Sequence, residues 1–375
     1  MILKNKNILI TGGAGFIGKH LYERLLSEGA KIHIYDNLSE QIHGKEPAFN
    51  DPRVKFTYAD ICDQDSIQSA VLDADIIFHL AAETGTGQSM YQIKKYVKVN
   101  ETGTAILLEA ILKSKNKGLQ IVLASSRSIY GEGAYELKDG NVFQPDPRTS
   151  KQLENRLWDF YDEDGDILKT IPTPSTLPVK PGSIYAATKF SQEMLFSVFS
   201  KAQKIPCSIL RFQNVYGEGQ SLRNPYTGII SIFYNRMRQG LPINIFEDGL
   251  ESRDFVHVSD VVEALVSSIG HTDSDKPLVC NVGSGEKTTV LTLANLLYKV
   301  ANIEPSIEVS GDFRVGDVRH CYADLTCAER YLKFIPKISL SDGLTKFVGW
   351  SSLQPEYQDN SSIAMAELVN RGLSK

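Results

Sequence analysis

Short apolar runs alternate with helix-length amphipathic segments along the first half of the chain. Asn7 to Ile10, Lys31 to Tyr35, Lys55 to Tyr58, Ile76 to Leu80, Gln120 to Ala124 and Ser208 to Phe212 read as strands. The segments between them carry the helical spacing, as in Leu21, Leu25 and Leu26 after the first run. Such alternation predicts an α/β fold with a parallel sheet and helices on both faces. The stretch from about Met90 to Asn116 predicts one long helix. Its face of Tyr96, Val99, Ala105, Leu108 and Ile111 is too apolar for water and calls for a core contact or another subunit.

Regularity fails between Tyr130 and Ser183, where Gln144-Pro145-Asp146-Pro147 and Ile171-Pro172-Thr173-Pro174 break any helix or strand. That composition predicts a largely surface insertion at 132–182 around a short helix near Leu153 to Phe160. After Phe212 the pattern becomes mixed. The expected organisation is a cofactor domain at 1–212, a smaller mixed α/β lobe at 213–350 interleaved with it near 255–270, and a tail at 351–375. The tail shows a short helical pattern at Ile363, Met365, Leu368 and Val369.

Composition narrows the partners. At 375 residues and 42% hydrophobic the chain can bury a large core. A net charge of −5 without a basic run disfavours nucleic acid and anionic membrane surfaces. No apolar stretch reaches the ~18 residues of a membrane span, and the first strand begins too early to follow a signal peptide, so a cytoplasmic protein is expected. Cys62, Cys207, Cys280, Cys321 and Cys327 show no Cys-x-x-Cys pairing and read as buried thiols in a reducing compartment.

Thr11-Gly12-Gly13-Ala14-Gly15-Phe16-Ile17-Gly18 lies between the first strand and its helix. Glycines here permit a tight turn, close approach of backbone to a pyrophosphate, and close helix packing, while the helix N-terminus faces the phosphates. This predicts a Rossmann-type doubly wound sheet that binds a dinucleotide. Asp36 ends the second strand, near the ~20-residue offset of the acid that binds the adenosine ribose. A carboxylate there selects NAD over NADP, whose extra phosphate it would repel. Arg53 is the nearest arginine in sequence.

The fifth strand ends in Ser125-Ser126-Arg127-Ser128, and Tyr185 and Lys189 open a helix after the insertion. A tyrosine and lysine at this spacing share a helix face. Tyr91 and Lys95 have the same spacing but precede the serine-bearing strand. At the carboxyl edge of a parallel sheet Ser126 and Tyr185 can converge on a nicotinamide. A tyrosine of pKa ~10 becomes a base near neutrality if it is lowered by ~3 units, about 4 kcal/mol, which Lys189 and the positive nicotinamide can supply.

These residues, with Asp60-Ile61, His79-Leu80-Ala81-Ala82, Leu210 to Gly217, Glu251 to Val261 and Arg314 to Asp317, resemble the extended short-chain dehydrogenases that act on nucleotide sugars, over nearly the whole chain. The resemblance implies a cofactor set of Gly12, Gly15, Phe16, Ile17, Gly18, Asp36, Asn37, Asp60, Ile61, Leu80, Ala81, Ala82, Thr84, Asn100, Ser125, Tyr185, Lys189 and Phe212. It implies a substrate set of Thr86, Ser126, Arg127, Asn214, Asn224, Arg253, Arg314 and Asp317, with Ser126, Tyr185 and Lys189 catalytic. A homodimer through the helices beginning near Tyr91 and Tyr185 and a nucleotide-diphosphate sugar substrate follow from it too.

Several outcomes of sugar oxidation at C4 remain open within that family: epimerisation, 4,6-dehydration, decarboxylation and net reduction. Dehydratases of the family place Asp-Glu immediately after the catalytic hydroxyl residue, where this chain has Arg127 and Ser128. Asp36 disfavours an NADP-dependent reductase. The complete Ser126, Tyr185 and Lys189 set disfavours a non-catalytic NAD sensor. The runs Tyr216 to Gly228 and Ile243 to Gly249 resemble the dTDP-L-rhamnose 4-epimerase branch, with UDP-glucose/UDP-hexose 4-epimerases as the alternative. Relatives associated with that branch carry a Cys-Pro-x-Cys knuckle in the insertion; Phe160 to Gly165 has no cysteine, so no metal is expected.

Overall fold

The computed structural model describes residues 3–374 except Glu46, Lys115, Lys117, Pro225, Thr227, 358–365 and Leu368. Seven strands form the central sheet: β1 (Asn7–Thr11), β2 (Lys31–Asp36), β3 (Lys55–Tyr58), β4 (Ile76–His79), β5 (Gln120–Ser126), β6 (Cys207–Phe212) and β7 (Leu278–Val282). Their order is β7-β6-β5-β4-β1-β2-β3, parallel throughout. Both faces are covered, so strands such as β4 are buried at every position and read as apolar runs rather than alternations. Helix α1 (Phe16–Ser27) and the helix Val258–Ser267 cover one face. Helices α2 (Gln64–Val71), α3 (Gly103–Lys113) and α4 (Ile184–Gln203) cover the other. The chain winds in opposite directions from β1 and β4, which opens a crevice at their carboxyl ends.

The long helix expected from Met90 to Asn116 differs from expectation. Helical residues Ile93–Tyr96 lead into a π-helical turn, Val97–Thr102, before α3 begins. The extra residue of such a turn re-aims side chains. Here Asn100 is turned inward, its amide nitrogen donating to Glu83 O (3.1 Å) and Thr188 Oγ1 (2.9 Å) while its oxygen accepts Glu83 N–H (2.8 Å). The apolar face meets the core: Tyr96, Leu108 and Ile111 are buried, Val99 and Ala105 half-buried.

The insertion is largely exposed, as expected, but it is a folded unit with buried residues of its own. Strands Ala134–Glu136, Val142–Phe143 and Lys169–Ile171 pair antiparallel, and the short helix is Ser150–Glu154, started by a Thr149/Gln152 capping box. Tyr135, Arg148, Leu153, Trp158 and Phe160 are buried. Three of its charged residues, Glu132, Arg148 and Asp159, are matched inside the molecule. Arg319, fully buried, bonds Asp159 (2.8 Å), Asp248 (2.6 Å) and Glu247 (3.1 Å). Arg148 bonds Glu247 (2.7 Å) and the carbonyl of Asp317 (3.0 Å). Burial raises the Glu132 carboxyl to about 7, although it accepts the N–H groups of Arg319 and His320 and faces Arg148. Buried charge survives only when paired in this way, and composition alone did not reveal that part of this segment is buried.

Cys280 in β7 and Cys327 in the helix Thr326–Leu332 form a disulfide, where free thiols were expected. Their Cα atoms lie 5.5 Å apart, a separation a bridge can span, and a sequence separation of 47 carries no local signal. Cys62, Cys207 and Cys321 are free. The central sheet takes β7 from beyond residue 270, so the lobes interleave further than 255–270. Ile363, Met365 and Leu368 of the expected tail helix lie outside the described residues. No helix among the described residues is long and apolar enough to cross a membrane.

Candidate active site

The crevice is a cleft of about 540 Å³ at the carboxyl ends of the strands. Gly12, Gly15, Phe16, Ile17, Gly18, Asp36, Asn37, Ile61, Leu80, Ala81, Ala82, Thr84, Ser125, Tyr185, Lys189, Phe212 and Asn224 line it. Gly12 has φ +70°, and a Cβ there would stand 2.7 Å from Ala81 N. A Cβ on Gly18 would stand 2.5 Å from Gly13 O, so only glycine lets α1 pack onto its own turn. Gly15 caps α1 without a side-chain acceptor, which leaves first-turn amides for an anion.

Asp36 is held ready. Its Oδ2 accepts Ala14 N–H (3.0 Å) and its Oδ1 accepts Leu38 N–H (2.8 Å), so the carboxylate is fixed at the cleft edge. His43 Nε2 lies 3.9 Å away, and burial lowers the imidazole pKa against the opposing charge of Asp36. Arg53 is engaged elsewhere, with Glu23 and Asp51. Asp60 accepts from Cys62 N–H (2.9 Å) and Asn37 Nδ2 (3.2 Å). Neither Asp60 nor Asn100 lines the cleft; Asn100 stands behind the loop after β4 and ties it to α4.

Ser183 caps α4, accepting Ala186 N–H at 3.1 Å, which starts the helix so that Tyr185 and Lys189 share its first turns. Tyr185 stands near Ser126 and Arg127. Burial raises the Tyr185 phenol above its ordinary value, while the Ser126 hydroxyl and the charge of Arg127 lower it. Lys189, expected to act on the phenol, instead donates to Ala124 O (3.0 Å), and burial brings its pKa down to about 8 against the charge of Glu193. Arg127 is therefore the cation that acts on the Tyr185 phenol. The decoy pair is separated: Tyr91 bonds Glu367 and Lys95 bonds Glu83.

Two buried networks, which local sequence patterns do not signal, hold these groups. Thr11 Oγ1 meets His79 Nδ1 (2.8 Å), His79 Nε2 meets Thr104 Oγ1 (3.0 Å), and Gln192 donates to Thr104 (2.7 Å), joining β1 and β4 to α3 and α4. Burial lowers the His79 pKa to about 3, with Lys189 adding to the effect, so the ring is neutral. Glu193 accepts from Ser125 and twice from Arg211 (3.0 and 2.8 Å); Arg211 bonds Tyr130, which donates to Asn281 (2.6 Å). Ser128 also donates twice to Ser126 Oγ, from N (3.2 Å) and Oγ (3.0 Å), fixing that hydroxyl. Its position beside Ser126 was the available signal.

Beside Tyr185, among residues that do not line the cleft, stands a cluster of cations that begins with Arg127. Arg127 Nε donates to Asn214 Oδ1 (3.0 Å), Arg253 Nη2 bonds Asp317 (2.9 Å), and Arg314 stacks on Phe246 at 4.8 Å. Burial lowers the Arg127 guanidinium, and the charge of Arg253 adds to the effect. Burial also opposes ionisation of Asp317, but Arg253, Arg314 and Arg148 outweigh it and hold the carboxyl below its usual value. Several arginines around one carboxylate favour a polyanion such as a diphosphate. Thr86 is exposed at the start of the short helix Thr86–Ser89 and does not line the cleft. Gly219 to Arg223, Trp350, Gln354 and Tyr357 line the cleft without having been expected, because they come from the second lobe and the start of the tail.

A family model described as the NAD dependent epimerase/dehydratase family matches residues 8–151 and 160–283. The chain belongs to that family. It is 39% identical over 353 residues to a dTDP-L-rhamnose 4-epimerase of Burkholderia thailandensis, spanning 93% of this chain and 96% of that protein. A UDP-N-acetyl-alpha-D-glucosaminuronate decarboxylase of Bacillus cytotoxicus is 27% identical over 352 residues, 92% of this chain and 97% of that protein. Among solved structures, a UDP-glucose 4-epimerase of Thermotoga maritima with UDP-glucose superposes with a TM-score of 0.75 at 31% identity, covering 93% of this chain and all of that one. The family's NAD fits the residues present: the glycine turn leaves no room for side chains, and Asp36 is aimed and unopposed by arginine.

Proposed function

We propose that this chain catalyses reversible C4 epimerisation of a nucleotide-diphosphate 6-deoxyhexose, with dTDP-L-rhamnose as the first candidate. The observation that carries the reading is the meeting of a neighbouring Ser126–Tyr185 pair, a cleft fitted to NAD and a cluster of arginines. Tyr185 takes the proton from the C4 hydroxyl, and Ser126 hydrogen-bonds the oxygen as it becomes a ketone. Bound NAD supplies the hydride acceptor and then the hydride donor. Arg253 and Arg314 hold the diphosphate while the neutral keto sugar turns over and is protonated again by Tyr185.

Arg127 and Ser128 stand where elimination would need an acid and a base, which speaks against dehydration. The name of the Burkholderia relative supports dTDP-L-rhamnose. The likeness to the Thermotoga enzyme with UDP-glucose keeps UDP-hexoses as the second reading. The test incubates the pure protein with dTDP-L-rhamnose or UDP-galactose, without added NADPH, and follows C4 configuration by NMR. Inversion of only the UDP sugar rejects the first substrate. Loss of water or of carbon dioxide, or stoichiometric NADH release, rejects epimerisation.

An internal redox cycle requires retained cofactor, so denaturing the purified protein is expected to release NAD and no NADP. Asp36→Arg removes the carboxylate that Ala14 and Leu38 hold, and is expected to weaken NAD and favour NADP; retention of NAD by the variant would contradict the ribose assignment.

The proposal includes a homodimer. Exposed Ile93 and Val97 lie at the start of the helical stretch that leads into α3, and Met194 and Val198 are exposed on one side of α4. Apolar stripes on adjacent helices suit burial against a second copy. Light scattering is expected to report a dimer and Val198→Glu a monomer; a wild-type monomer at working concentration removes the assignment.

A further inference from the structure

We propose that Glu367 and residues 369–374 form the outer wall of the nucleotide-sugar site, with Glu367 as a positioning residue that sets Tyr91 and Tyr226 at its sugar end. This rests on the substrate reading above. The segment is anchored at two places. At the first, Glu367 Oε2 accepts the hydroxyls of Tyr91 (2.6 Å) and Tyr226 (3.0 Å), and the Arg371 guanidinium lies over the Tyr91 ring at 4.4 Å. At the second, Ser374 pairs with Arg314 in an antiparallel bridge and donates to Phe313 O at 2.9 Å. At ~3.4 Å per residue the two anchors can be no more than about 25 Å apart.

Each anchor touches a different end of the site. Tyr226 N–H donates to Asn224 Oδ1 (3.0 Å), and Asn224 lines the cofactor cleft. Tyr226 also lies within electrostatic reach of Tyr96, whose ring packs edge-to-face on Tyr185 and whose hydroxyl holds Thr84 O (2.6 Å). The first anchor is thus at the end where the sugar reacts. The second grips the backbone of Arg314, which with Arg253 and Asp317 makes the diphosphate end. Among the described residues between the anchors Val369, Asn370, Arg371 and Gly372 are exposed and Leu373 is half-buried, so the described contacts that hold the segment are mainly polar. A segment held mainly by polar contacts is a low-stability element, and a ligand that touches its partners shifts its order.

The test uses the full-length, NAD-loaded protein. Trypsin cleavage after Arg371, read as release of the peptide beginning at Gly372, is expected to slow about fivefold or more with saturating dTDP or UDP, as differential binding to the ordered segment requires. Glu367→Ala is expected to raise KM for the nucleotide sugar about tenfold with kcat within about twofold, because Glu367 touches the wall and not the reacting carbon. Glu367→Gln, which keeps an acceptor oxygen for both phenols, is expected to restore KM to within about threefold of wild type. Nucleotide-independent cleavage, a wild-type KM in Glu367→Ala, or a loss confined to kcat overturns the wall. If the wild type turns over no nucleotide sugar, the substrate reading falls with it; if the wild type turns over and Glu367→Ala matches it, only the wall falls.

Discussion

Tyr185→Phe is expected to lower kcat about a thousandfold, within the range general acid–base catalysis contributes, and to leave the fold and NAD content unchanged. Phenylalanine keeps the ring contact with Tyr96 at 6.4 Å and removes only the hydroxyl that stands near Ser126. Steady-state kinetics with melting temperature as control measures it. A kcat within tenfold of wild type would mean that another group moves the proton. The electrostatics around the phenol make a second statement. Arg127 stabilises the phenolate, so Arg127→Met raises the phenol's pKa further and moves the acid limb of the kcat profile to higher pH. An unmoved limb would place the proton step elsewhere.

Arg253→Ala is expected to raise KM for the nucleotide sugar roughly 30- to 1,000-fold, the range that follows from losing about 2–4 kcal/mol when one member of a buried charge pair is truncated. Two effects add. The diphosphate loses charge-assisted bonds, and Asp317 is left with its partner at 2.9 Å removed, repelling the same anion. Because the contact is with the nucleotide end, kcat is expected to stay within about fivefold. Titration with dTDP or UDP gives the binding loss directly, and melting temperature separates it from unfolding. A fall in kcat at unchanged KM would move Arg253 to the reacting carbon.

The cofactor half of the molecule was legible because its signals are local. Gly12, Gly15 and Gly18 are demanded by a turn and a helix start that lie within one segment, and Asp36 ends the adjacent strand at a characteristic distance. The pairing of Tyr185 with Ser126 needed order along the chain as well, since Tyr91 and Lys95 offer the same spacing. The π-helical turn that aims Asn100 inward leaves no such mark, because its residues are ordinary helix formers.

Hydrophobic periodicity and glycine placement by themselves determined the parallel sheet, the dinucleotide cleft and the helix that carries Tyr185 and Lys189, for each is a property of neighbouring residues and strand or helix geometry. Only the tertiary structure decided where charge is buried. Arg319 with Asp159, Asp248 and Glu247 turns a polar insertion into a packed unit, and Glu193 with Arg211 supports the strand end under Ser125. It also decided that Arg127 acts on the Tyr185 phenol while Lys189 reaches Ala124 O. A charged side chain looks the same in sequence whether it meets water or a partner from a distant segment, and the free energy that separates the two cases exists only after that partner has been brought to it.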